Sequence, residues 1–170
     1  DLCDTFNLPL LIFLDMPGFM LGSHAEQIAT MRRGARALIA SAECQVPKIE
    51  FMVRKSYGVA ADAPNSIGLP NSLNLRFGWP SGEWGGIPIE GGVAAAYRRE
   101  IEAAEDPEAH RLAIEERLLR LRSPFRAAHR GDVIDLIDPR ETRSLACRFV
   151  NLAQPKLREL AQRNKRAVRP

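Results

Sequence analysis

The stretch Ile49 to Asp62, IEFMVRKSYGVAAD, holds the residue types whose order could do chemistry. It reads as a buried strand, a two-cation step at Arg54 and Lys55, and a small-residue turn through Gly58, Val59 and Ala60 that opens a helix. The start of a helix leaves main-chain N–H groups without intrahelical partners and gives them partial positive charge. An anion, or an oxygen that becomes anionic during a reaction, suits such a turn. The same spacing also describes a βα connection that binds nothing, as most such loops in α/β sheets do.

Side chains offer less. His24, His110 and His129 are scattered, and none has the HxxH or HExxH partner of a metal site. Cys3, Cys44 and Cys147 lack metal-ligand spacing and lie on apolar segments, which fits a reducing compartment, the cytoplasm or the mitochondrial matrix. No GxSxG elbow supports a serine hydrolase. Asp4, Asp15 and Asp62 are single carboxylates near strand ends, where α/β ligand sites gather. Catalysis here would rest on backbone donors more than on a side-chain acid or base.

The elements that must position this turn follow from the apolar pattern. Leu8 to Leu14 is a continuous apolar run, as expected of a strand covered on both faces. Pro17-Gly18 forces a turn after it. From about Ser23, the residues Ile28, Met31, Ala35, Leu38, Ile39 and Ala42 recur at helical spacing and predict an apolar stripe. Ile49 to Val53 is the second strand, so strand, helix and strand imply a parallel pair with a crossover. A short helix over Ala60–Gly68, a strand over Leu73–Phe77 and a turn at Trp79–Glu83 are expected next. The glycine-rich run Gly85–Gly92 has neither GKS/T nor GxGxxG and reads as a tight-packing loop feeding a helix over Val93–Glu105. Pro107–Arg122 is a charge-laced, solvated helix with Ile114, Leu118 and Leu121 on one face. After the apolar alternation Val133, Ile134, Leu136, Ile137, a final helix starts at Pro139.

A chain of 170 residues, 45% hydrophobic and 26% charged, suffices for one domain with a real core. A net charge of +3, with cations not interleaved with aromatics, gives no ground for nucleic acid. No apolar run approaches the ~20 residues that span a bilayer, and no secretory signal is visible. The abrupt start DLCDTFNLPLLIF suggests that residues precede Asp1. Six Lys/Arg against one Glu from Lys156 onward read as a solvated basic tail.

The series Asp15-Met16-Pro17-Gly18-Phe19-x-x-Gly22, Arg33-Gly34-Ala35, Val46-Pro47-Lys48, Arg54-Lys55-Ser56-Tyr57-Gly58, Trp79-Pro80, and Ser123-Pro124-Phe125 through Arg130-Gly131 to Thr142-Arg143 resembles the carboxyltransferase β subunit of biotin-dependent acyl-CoA carboxylases, nearest the propionyl-CoA carboxylase-like branch. The order and near-constant spacing make the resemblance specific. It implies an α/β, crotonase-like superhelix of ββα units. The chain would be a single domain, the C-terminal, biotin-side half of a two-domain subunit, over residues 1–154, with 155–170 as the basic tail. It implies acyl-CoA as substrate, biotin as carboxybiotin on a partner carrier, and no metal. The implied partners are a biotin carboxylase/carrier subunit, an N-terminal carboxyltransferase domain and further copies of the chain, from dimer to hexamer.

In that family carboxybiotin releases CO2, biotin takes a proton alpha to the thioester, and the enolate attacks CO2. Two oxyanion holes of main-chain N–H groups hold the developing charges. The resemblance gives the biotin-side donors to Val59 and Ala60, contacts with biotin or substrate to Phe19, Gly22, Tyr57 and Gly58, and acyl-chain preference to Asp62. The pattern departs at Val59, where the family has glycine, at Ala61, usually aromatic, at Pro64 for Met, at a slightly longer run from Asn65 to Gly78, and at Ile87-Pro88 for Met-Gly. A β-branched Val59 would be costly wherever φ must be positive. Alternative readings are the reverse half-reaction, decarboxylation or transcarboxylation, and a non-catalytic interaction domain of the same fold.

Overall fold

A computed structural model describes residues 1–65, 73–89 and 91–162. The chain opens with α1 (Leu2–Phe6), β1 (Leu10–Met16), α2 (Ser23–Gln27) and α3 (Thr30–Glu43). It continues through β2 (Lys48–Tyr57), α4 (Gly58–Asp62), a 3-10 turn at Ala63–Asn65, β3 (Asn74–Gly78) and β4 (Glu83–Gly85). Then come α5 (Gly92–Ala96), α6 (Arg98–Glu102), α7 (Pro107–Leu121), α8 (Pro124–Arg130), β5 (Asp135–Leu136) and α9 (Thr142–Ala161).

All strand pairs are parallel, in the order β1-β2-β3-β5, with β4 continuing β3's place along β2. β2 is therefore the spine: Lys48 to Met52 pair with Asn74 to Gly78, and Lys55 to Tyr57 pair with Glu83 to Gly85. Phe13, Phe51 and Phe77 stand opposite one another across three strands, with ring centroids 5.5 and 6.1 Å apart. Such cross-strand aromatic pairs help fix register, because a slip of one residue would move each ring to the other face.

Strand alternation gives β2 two unlike faces. Ile49 and Phe51 point to a cluster with Ile137, Ala146 and Phe149, seating α9 on the sheet. Burying Phe51 and Phe149, 0% and 2% exposed, stabilises by about 2–3 kcal/mol each. The opposite face carries Lys48, Glu50 and Met52, all buried. Met52 joins Leu14, Ala61 and Val133 in a second cluster, so α4 is packed directly against the sheet. A separate cluster of Ile89, Val93 and Ile114, with Ile87, Tyr97, Ile101 and Leu118 against it, binds α5, α6 and α7 into one lobe. Trp84 lies across two glycines: an added Cβ would come within 2.8 Å of its ring at Gly78 and 2.4 Å at Gly82.

Several sequence expectations are corrected. The second strand runs on to Tyr57, so Arg54 and Lys55 lie within it, held by pairing with β4. The α3 stripe is helical but not buried: Met31 is 54% and Ile39 55% exposed, and only Gly34 is buried. The helix expected over Val93–Glu105 breaks at Tyr97, whose φ of −105° leaves helical geometry. The helix expected over Ala60–Gly68 starts earlier, at Gly58, and becomes a 3-10 turn, and its end lies outside the described residues. The basic tail does not begin at residue 155, because α9 continues to Ala161. Ala153, Leu157 and Leu160 share a helix face and join Cys44 and Val46 in the core, and that burial outweighs the polar composition. The rest of the tail lies outside the described residues.

Candidate active site

The site is built at the C-terminal end of β2. Tyr57 ends the strand in extended conformation, and Gly58, at φ +61°, turns the chain into α4. Left-handed backbone costs an L-residue roughly 1–2 kcal/mol, so glycine belongs at this position. Val59 and Ala60 follow with negative φ. The Val59 departure therefore carries no backbone strain; the positive φ is one residue earlier, where the glycine is kept. Since α4 begins at Gly58, the N–H groups of Gly58, Val59 and Ala60 have no carbonyl one turn back within the helix. Ala60 is buried, and Val59 is 56% exposed at the opening.

Two loops hold this bend. Pairing of Tyr57 with Gly85 brings Gly85 to Pro88 alongside it. An added Cβ at Gly58 would lie 3.1 Å from the Gly86 carbonyl, and one at Gly85 would lie 2.7 Å from Cε1 of Tyr57. Gly86 itself faces open space, so this side of the site is bare backbone. From the other direction comes the turn after β1, where an added Cβ at Gly18 would sit 3.8 Å from Pro88 and 4.0 Å from the Tyr57 carbonyl oxygen. That turn is tied down by Asp15, which accepts hydrogen bonds from the Arg54 side chain and the Lys55 N–H. The Arg54 guanidinium holds the Asp15 carboxyl below its ordinary range.

Tyr57 is 1% exposed, and its hydroxyl donates to Oε2 of Glu83 at 3.0 Å. Arg122 donates to the same oxygen at 3.3 Å. Burial, and then the adjacent carboxylate, push the phenol up to about 12. The ring is thus a neutral, fixed floor to the site, with its hydroxyl already committed.

A cleft of about 890 Å³ opens beside the bend, between the sheet's end and the α5–α7 lobe. Tyr57, Gly58, Val59 and Asp62 line it, with Tyr97 and Leu118 across from them. Its charged lining is four arginines, Arg76, Arg122, Arg126 and Arg130, against Asp62 and Asp132. The lining therefore favours an anion or an oxygen gaining negative charge. Among the described residues, no group of three His, Cys, Asp or Glu side chains could hold a metal ion.

The structure brings Tyr57, Gly58, Val59 and Asp62 together at one cleft, with Ala60 buried behind them. Phe19 and Gly22 are not on its lining. The Phe19 ring occupies the space over Gly34, where an added Cβ would meet Cζ at 2.3 Å. Gly22 precedes α2 with φ +106°. Sequence reasoning missed Arg76, Glu83 and Arg122. The signal for Arg76 was a lone cation inside the apolar strand Leu75-Arg76-Phe77, matched by a lone Glu50 in Ile49-Glu50-Phe51. Opposite charges in two buried parallel strands imply pairing.

A parallel sheet whose central strand is buried on both faces and ends in the start of a short helix places the chain among α/β proteins with a strand-end site. Residues 1–168 match the family model described as carboxyl transferase domain, and the chain belongs to that family. It is 41% identical over 143 residues to the carboxyltransferase subunit of propionyl-CoA carboxylase from Haloferax mediterranei, covering 84% of this chain and 27% of that one. To the methylmalonyl-CoA carboxyltransferase 12S subunit of Propionibacterium freudenreichii it is 40% identical over 144 residues, 84% of this chain and 27% of the relative. To the alpha subunit of methylmalonyl-CoA decarboxylase from Propionigenium modestum it is 35% identical over 159 residues, covering 93% and 30%. The chain thus spans under a third of the length of these relatives.

Among solved structures, the transcarboxylase 12S hexamer with methylmalonyl-coenzyme A and methylmalonic acid bound aligns at TM-score 0.72 and 34% identity, over 98% of this chain and 31% of that one. The geranyl-CoA carboxylase β subunit of P. aeruginosa aligns at TM-score 0.81 and 23% identity, over 97% of this chain and 31% of that one, and shows the fold alone. The fold is the crotonase-like one that the motif series implied.

Proposed function

We propose that this chain is the biotin-side part of a carboxyltransferase that moves a carboxyl group from carboxybiotin, carried by a partner, to the alpha carbon of a short-chain acyl-CoA. The observation that carries the reading is the Gly58 bend, where the first residues of α4, Gly58 and Val59, line an arginine-rich cleft. Carboxybiotin would supply CO2 and, once decarboxylated, a basic ureido nitrogen. The chain's own part is narrower. The N–H groups of Val59 and Ala60 would donate to the ureido oxygen as charge builds there, and loss of one such donor typically costs on the order of 3 kcal/mol. Tyr57, fixed by Glu83, holds the floor, and Val59 with Leu118 and Tyr97 displaces water from the mouth. Asp62 would stand toward the acyl chain. Residues 1–154 would form this domain, and α9 extends the packed unit to Ala161.

The acyl-CoA side would come from an N-terminal carboxyltransferase domain, within an assembly of two to six copies that includes a biotin carboxylase/carrier subunit. The exposed apolar residues of α3, and Leu11 and Phe13 on β1, support such coverage by another chain or domain. Three free thiols suit a reducing cytoplasm or mitochondrial matrix.

The test is carboxylation of acetyl- and propionyl-CoA by the full-length protein with its biotin partner, for wild type and Val59→Gly. Absence of turnover in both rejects the reading. The resemblance to a decarboxylase alpha subunit favours, as a second reading, the reverse half-reaction. Methylmalonyl-CoA offered with the biotinylated carrier would then yield carboxybiotin.

A further inference from the structure

Glu50 is 0% exposed on the face of β2 beneath α4. Directly opposite it in the parallel register is Arg76 of β3, whose Nε donates to Oε2 of Glu50 at 3.2 Å. The same guanidinium extends beyond the sheet, its Nη1 lying 3.5 Å from Oδ1 of Asp62, the last residue of α4. Arg76 and Asp62 both line the cleft, and their side chains are 21% and 65% exposed. The three charges form a chain from the buried interior of the sheet to the end of a helix only five residues long. Whatever fixes Asp62 fixes Val59 and Ala60, which lie within one turn of it.

A buried carboxylate is costly unless paired, so the Glu50–Arg76 ion pair has little freedom to rearrange. A second tie holds the following turn. Lys48, buried two residues before Glu50 on the same face, donates to the carbonyl and hydroxyl of Ser41. The Ser41 hydroxyl in turn donates to the Pro64 carbonyl at 2.9 Å. The segment carrying the bend is thus fastened to the spine strand at both of its sides.

We propose that Glu50 and Arg76 are positioning residues for the carboxyltransferase site, holding α4 through Asp62 so that the Val59 and Ala60 amides keep one fixed aim into the cleft. This deepens the function proposed above and, for its catalytic consequence, rests on it. The chain acts on geometry, so its loss lowers kcat in step with faster exchange of the segment, whereas the part given to Asp62 in acyl-chain preference would show separately, as a change in KM.

The test uses the full-length protein with its biotin partner, in the variants Asp62→Asn, Arg76→Met and the pair together. Hydrogen exchange of the 57–63 segment and steady-state kinetics with propionyl-CoA are both read. Asp62→Asn touches an exposed residue and leaves the fold intact, so it remains decisive should Arg76→Met unfold the chain. Because the Arg76–Asp62 end is partly solvated, Asp62→Asn should speed exchange of the segment about threefold, with a matching fall in kcat. The double variant should go no further than Arg76→Met alone, since the two residues act through one link. Exchange unchanged in Asp62→Asn, or effects that multiply in the double variant, overturns the proposal. Wild-type protein without turnover would sink the proposed function instead, and the exchange result would still decide whether the charge chain holds α4.

Discussion

Gly34→Ala is the substitution whose outcome depends most sharply on the geometry around the site. In isolation it should help, since Ala is favoured over Gly in a helix interior by about 1 kcal/mol. Here the new Cβ would sit 2.3 Å from Cζ and 2.6 Å from Cε1 of Phe19, closer than any real contact allows. The ring is the mobile party, being the far end of a partly buried side chain on the turn after β1. Full burial of a phenylalanine is worth up to about 3 kcal/mol, and roughly half of that is at stake for a half-buried ring. The two effects nearly cancel, so Gly34→Ala should leave stability within about 1 kcal/mol of wild type. In a Phe19→Ala background nothing blocks the methyl group, and the same change should stabilise by about 1 kcal/mol. Urea midpoints followed by circular dichroism, compared at a common slope, give the coupling, expected at about 1–2 kcal/mol. Equal stabilisation in both backgrounds would refute the reasoning, because it would mean that the ring does not occupy the space over Gly34. Activity adds a second readout. Phe19 follows Gly18, which packs near Pro88 and the Tyr57 carbonyl, so a displaced ring should slow the proposed carboxyl transfer even where stability is unchanged.

Two further outcomes follow from the same region. Gly58→Ala forces a side chain onto φ +61° and toward the Gly86 carbonyl, and should cost about 1–2 kcal/mol in urea unfolding and depress turnover as the loop shifts. Tyr57, raised to about 12 when folded, keeps its proton more tightly than in the unfolded chain, where a phenol titrates near 10. Its contribution is complete below about pH 10 and is lost as pH rises through about 12, a fall of about 2–3 kcal/mol that Tyr57→Phe should remove from the alkaline unfolding curve.

The parallel sheet was legible because a long apolar run such as Ile49–Val53 marks a strand buried on both faces. The run Leu8–Leu14 implied the same for β1, but Leu11 and Phe13 are 40% and 58% exposed, so within this chain that strand is covered on one face only. The bend was legible for a related reason: Gly58 and the small residues after it have few uses other than a tight strand-to-helix turn. What the pattern could not report was the partner of each surface. The α3 stripe has correct helical periodicity, yet Met31 and Ile39 point outward, because spacing defines a face without naming what covers it. Arg54 and Lys55 looked like an end to β2, but strand length here is set by pairing with β4, a segment nearly thirty residues downstream. The lone charges Glu50 and Arg76 were visible as exceptions to apolar strands, while their pairing required the register that only the fold supplies.

The valine at position 59 shows how a departure from a motif should be weighed. A glycine in a motif can be needed for its backbone or for its lack of volume, and the two demands have different consequences. Here the backbone demand falls on Gly58, since Val59 has negative φ and enters α4 without strain. The direction of the 59 and 60 amides is accordingly set by Gly58, by the packing of Ala60 and Ala61 on the sheet, and by the Asp62–Arg76 link. None of these depends on the side chain at 59. What valine changes is the volume at the mouth of the cleft, where it is 56% exposed and, being β-branched, stiff at χ1. If the 59 and 60 amides receive the ureido oxygen as proposed, the substitution acts on which ligand reaches them and leaves the backbone geometry intact.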